Sequence, residues 1–103
     1  DTFGVARQQL SGLPEQLTII DQEGQADAKL RYVESIGAER TVAVGNGRND
    51  RKMLAAAALG IALIQEEGLA AETLRNADLL ATSAQDALDL LANPDRIRAT
   101  LRA

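Results

Sequence analysis

Six consecutive residues, Gly45-Asn46-Gly47-Arg48-Asn49-Asp50, are glycine or polar and follow the apolar run Thr41-Val42-Ala43-Val44. Two glycines let the backbone turn tightly at the carboxyl end of a buried strand, where open α/β sheets bind ligands. Asp50, Asn46 and Asn49 carry oxygen atoms of the kind hard cations such as Mg²⁺ prefer. The plainer reading of the same residues is a polar loop in which Asn49 or Asp50 caps the next helix. The unbroken row of six against a buried strand favours the ligand-binding reading.

The elements that must position this loop alternate along the chain. Residues 1–11 read as a short helix, and Leu17-Thr18-Ile19-Ile20 as a β-type run. From Gln25 to Ile36 the apolar residues Leu30, Val33 and Ile36 recur at helical spacing, with Gly37 as the C-cap. After the strand at residues 41–44, a helix of roughly ten residues carries Met53, Leu54, Ala57 and Ala58 on one face. Residues 60–64 form the next strand, a helix runs over 69–75, and Asp78-Leu79-Leu80-Ala81 makes a marginal last strand. Ser83-Ala84-Gln85-Asp86 has the form of a capping box for a helix with Ala84, Ala87, Leu88 and Leu91 inward. Asn93-Pro94 reads as an N-cap and first helical residue of a final helix toward Ala103. Uniformly apolar short strands between helices imply an α/β domain with a parallel sheet covered on both faces. Three strands, or four with the marginal one, make a small sheet, so the expectation is a single partial domain over 1–103, truncated at its N-terminus. An exposed sheet edge then allows self-association.

Composition narrows the chemistry. The 103 residues are 46% hydrophobic and 25% charged, as in a globular protein. No Cys and no His are present, which removes thiol nucleophiles, Ser-His triads and the usual zinc sites. Lack of cysteine is compatible with a cytoplasmic location. A net charge of −4, with Phe3 and Tyr32 as the only aromatics, disfavours nucleic acid as a partner. The longest apolar run, residues 53–64, is far short of the roughly 20 needed to span a membrane.

The stretch Thr41-Val-Ala-Val-Gly-Asn-Gly-Arg-Asn-Asp-Arg-Lys-Met-Leu54 resembles the G-D-G-x-N-D-x-x-M-L signature of haloacid-dehalogenase-type phosphatases and P-type ATPases. Residues 57–63 and 76–80 are similar to that family's downstream A-x-x-G-I-A and A-D segments, in the same order. Lys29, 16 residues before Gly45, stands where the family has its motif lysine. The resemblance covers about residues 25–81 and is strongest to soluble relatives of the P-type ATPase phosphorylation domain. It implies a doubly wound, Rossmann-like core and phosphoryl transfer from a small phosphorylated substrate through an aspartyl-phosphate. In that scheme Mg²⁺ and Lys29 offset phosphate charge, Asp50 and Asn46 contribute to the metal site, and Gly45, Gly47 and Asn49 form the phosphate loop. For Lys29 the plainer reading is a solvated helix lysine.

Two departures stand out. Asn46 replaces the family's leading metal carboxylate and brings no charge, so Mg²⁺ binding should be weak. No D-x-[DNT]-G-T nucleophile motif is present; Asp21-Gln-Glu-Gly24 lacks the threonine, and Asp1-Thr-Phe-Gly4 has no strand before it. The nucleophile is therefore expected upstream of Asp1, and this chain alone is expected to be inactive. A rival reading takes Gly45-x-Gly47, with Glu66 or Glu67 about 20 residues on, as a dinucleotide-binding βαβ unit. Another is a non-catalytic α/β interaction module.

Overall fold

The computed structural model describes residues 25–101. The expected helix at 1–11, the run at 17–20 and the acidic loops at 1–4 and 21–24 lie outside them. Three apolar runs become parallel strands β1 (Val42–Gly45), β2 (Leu59–Leu63) and β3 (Leu79–Ala81), ordered β1-β2-β3. The register sets Val44 beside Ile61 and Ile61 beside Leu79. Helix α1 (Ala26–Ile36) precedes β1, α2 (Arg51–Ala56) joins β1 to β2, and α3 (Ala71–Arg75) joins β2 to β3. Helices α4 (Ala84–Ala92) and α5 (Pro94–Leu101) follow β3. The α/β class and the parallel sheet are as expected, and the marginal strand is a strand.

Side chains alternate across a strand, and the buried residues sort accordingly. Ala43 faces Val33 of α1 and Met53 and Leu54 of α2, whereas Val44, Leu59, Ile61 and Leu63 join Leu79, Ala81, Ala84 and Ala87 under α4. The sheet is thus covered on both faces. Burying Leu54, Ile61, Leu63 and Val33 stabilises the fold by about 1.5–3 kcal/mol each. On the α1–α2 face β1 and β2 carry only small residues, Ala43, Gly45, Gly60 and Ala62. A Cβ at Gly60 would lie 2.4 Å from the Leu54 carbonyl oxygen, so only glycine lets α2 approach β2 this closely.

Local chemistry sets the ends of the elements. Gly37 ends α1 with a φ of 102°, and its amide donates to the Val33 carbonyl. Asp78 opens β3: its amide donates to Gly60 O and its carboxylate accepts the Gly60 amide, both at 2.8 Å. That clamp makes a strand of a run the propensities leave marginal. Ser83 Oγ accepts the Asp86 amide at 3.0 Å, but the Asp86 carboxylate takes the Thr82 hydroxyl. Half of the expected capping box is therefore formed.

Several expectations are corrected. The helix after the glycine loop has six residues, not ten, because a 3₁₀ turn at Arg48–Asp50 takes its first turn and Ala58 is exposed. Helix α3 starts at Ala71, not residue 69. In α4, Ala84, Ala87 and Leu91 pack on the core as expected, with Leu90 in place of Leu88. Helix α5 starts at Pro94 as expected and the Asn93 carbonyl accepts the Arg96 amide at 2.9 Å, but the Asn93 side chain donates back to Asp89 O and so closes α4 instead of capping α5. Among the described residues no helix is long and apolar enough to cross a membrane.

Candidate functional site

The residues singled out from the sequence converge at the carboxyl end of β1. Lys29 sits one turn inside α1 and Asp50 ends the 3₁₀ turn, and the Lys29 ammonium donates to Asp50 Oδ1 at 2.7 Å. Both are buried, at 4% and 8% exposure. Asp50 Oδ2 accepts the backbone amides of Asn46 at 3.1 Å and Gly47 at 3.0 Å. The carboxylate therefore draws the loop around itself, as an acidic third residue does in a capping box.

The glycines make room for that carboxylate. A Cβ on Gly45 would lie 2.4 Å from Asp50 Oδ2, and one on Gly47 would lie 2.8 Å from Asn49 Oδ1. Their missing side chains are used by the loop's own carboxylate and carboxamide. The amides of Asn46 and Gly47 are likewise spent on Asp50, not aimed outward in a phosphate cradle. A dinucleotide-binding loop needs the opposite arrangement, with glycines that admit a pyrophosphate. Glu67, one of the two candidate ribose acids, instead accepts the Asn46 side-chain amide at 3.0 Å.

The loop is locked from outside as well. Thr73, fully buried on α3, donates its hydroxyl to Gly47 O at 2.6 Å, and the Ala70 amide donates to Asn46 O at 3.3 Å. Sequence reading missed Thr73. A lone threonine 26 residues from its acceptor leaves no local pattern. The sequence offers Glu67 only as a ribose acid of the rival dinucleotide reading.

A donor set for Mg²⁺ is thin. Mg²⁺ is usually held by one or two carboxylates with water and substrate phosphate completing six ligands. Here the single central carboxylate already accepts three hydrogen bonds, one from a cation, and Asn46 adds only a neutral oxygen. Among the described residues no group of three acidic, His or Cys side chains is placed to hold a metal. The described residues do not by themselves fit the ion.

What the arrangement offers is a buried ammonium fixed at a sheet edge. Lysine has three donors, and Asp50 takes one. Replacing a buried ion pair by apolar residues is often neutral or stabilising, so such a pair is weak support for a purely structural role.

Comparison with known proteins finds a relative in an archaeon. The chain is 40% identical over 79 residues to the "Uncharacterized protein MJ0073" of Methanocaldococcus jannaschii, a match spanning 73% of this chain and 85% of the relative. No family model matches the chain, and no solved structure does.

Proposed function

The chain belongs to the family of this Methanocaldococcus jannaschii protein, and for it we propose a role in phosphoryl transfer, as part of a haloacid-dehalogenase-type phosphohydrolase with a Rossmann-like, doubly wound core. The observation that carries the reading is the buried Lys29–Asp50 pair at the carboxyl end of β1. In this reading Asp50 orients Lys29 and keeps its charge balanced in a nearly dry setting. The ammonium then meets a phosphoryl oxygen of a small phosphorylated substrate, where electrostatic stabilisation is strongest. A carboxylate nucleophile must come from outside the described residues. Mg²⁺ is the cofactor the family resemblance implies; it would supply further charge neutralisation, with affinity well short of sub-micromolar. The cytoplasm is the proposed location, and neither nucleic acid nor membrane is a proposed partner.

A p-nitrophenyl phosphate assay with Mg²⁺ on the 103-residue chain tests the reading. The expected result is turnover close to background, because loss of a nucleophile costs several orders of magnitude. Robust turnover abolished by Asp21→Asn would locate the nucleophile at Asp21. Robust turnover indifferent to Lys29→Met and Asp50→Asn would contradict the assignment of the site.

A non-catalytic module is the second reading, and the full hydrogen bonding of Asp50 favours it. In that case the pair only fastens α1 to the loop, and phosphate has no affinity for Lys29.

A further inference from the structure

Beside the Lys29–Asp50 pair lies an open groove of about 390 Å³, between the first turn of α1 and the start of α2. That volume lies within the range of small-molecule sites. Arg48, Arg51 and Lys52 line it, against one lining carboxylate, Asp27. In a chain of net charge −4 this is a local excess of positive charge. Lys52 is committed to Asp27 at 2.5 Å. Among the described residues the two arginines share a single carboxylate, Glu72: Arg48 Nη2 lies 3.0 Å from Oε1 and Arg51 Nε 3.5 Å from Oε2. Arg51 is also held by a 2.9 Å bond from Nη1 to the Arg48 carbonyl.

We propose that the Arg48–Arg51 pair at the rim of this groove is a second anion subsite, binding an oxyanion group of the ligand after it displaces Glu72, which itself lies outside the groove lining. Two guanidinium groups converging on one carboxylate already form a fork that fits a planar or tetrahedral oxyanion. Glu72 occupies the place of that oxyanion in the free protein. Its bonds to the arginines are solvent-exposed and weak, so exchange costs little, and a dianionic group gains from the second guanidinium that one carboxylate cannot neutralise. The groove and the proposed phosphoryl site share chain segments: Asn49 belongs to both the groove lining and the glycine loop, and the Gln25 carbonyl, from another lining residue, accepts the Lys29 backbone amide at 3.1 Å. Resting on the phosphohydrolase reading, this makes the substrate a phosphate ester whose leaving group carries its own negative charge.

The test compares methylenediphosphonate with methylphosphonate on the isotope-labelled chain. Arg48 and Arg51 Nε–H signals report the groove, and the amides of residues 45–50 report the Lys29 site. Methylenediphosphonate is expected to bind about tenfold more tightly and to move both sets of signals. Arg48→Gln combined with Arg51→Gln abolishes that advantage, and Glu72→Gln tightens binding several-fold. Arginine signals that stay still, or an advantage that survives the double substitution, overturn the subsite. Arginine signals that respond while the loop amides do not would refute the phosphohydrolase reading and leave the subsite standing.

Discussion

At the scale of single residues, Asp50 is the centre on which Lys29, Asn46 and Gly47 converge. It accepts three hydrogen bonds, whereas Lys29 contributes one of them. Removing either partner of a buried pair costs about 3–5 kcal/mol. Asp50→Ala should fall at the upper end, because two loop amides lose their acceptor, and Lys29→Met at the lower. The combined variant should cost less than the two added together, since no charge is then left alone. Urea denaturation of all three reads this directly, and simple additivity would mean that the pair carries no coupling energy. The glycine loop and its acidic residue were legible in the sequence because strand, glycines and carboxylate lie within ten residues. The inner face of α1 was not. Periodicity pointed to Leu30, Val33 and Ile36, yet Lys29 and Val33 are buried and Ile36 is 44% exposed. A lysine goes inward only when a partner waits there, and Asp50 is 21 residues away.

At the scale of elements, the short helix α2 is held from two sides. Its packing on β2 depends on Gly60, where an added Cβ would meet the backbone of Leu54 at 2.4 Å. Backbone cannot rotate aside as a side chain can, so Gly60→Ala should destabilise by about 1–3 kcal/mol as α2 is pushed off the sheet. A thermal melt unchanged by that substitution would show that α2 has slack. On its other side α2 is tied to α1 through Lys52 and Asp27. The hydrogen bond and charge of Lys52, with Arg31 and Arg51 adding, hold the Asp27 carboxyl below its usual range. A depressed pKa in the folded state means stabilisation that is present above the unfolded value and lost as pH falls through the folded one. Asp27→Asn should therefore lower the melting temperature slightly at neutral pH and leave it unchanged in strong acid. A difference that persists in strong acid would assign the effect to packing. The elements themselves were largely legible, since short apolar runs and helical spacing are local signals. Their ends were less so: Asn93 satisfies the C-terminus of α4, and the 3₁₀ turn at Arg48–Asp50 shortens α2 to let Asp50 fold back under the loop.

At the scale of the whole molecule, the parallel order β1-β2-β3 puts the starts of α1, α2 and α3 at one end of the sheet. That is why Lys29, the glycine loop and Thr73 meet although they are distant in sequence. The central claim is that this meeting point receives a phosphoryl group on Lys29. Titration of the isotope-labelled chain with inorganic phosphate, followed at the amides of residues 45–50, tests it most directly. The account predicts saturable shifts at Gly45, Asn46 and Gly47 that vanish in a folded Lys29→Met variant and persist in Lys52→Met. Shifts absent from the unsubstituted chain, or unaltered by Lys29→Met, would contradict it.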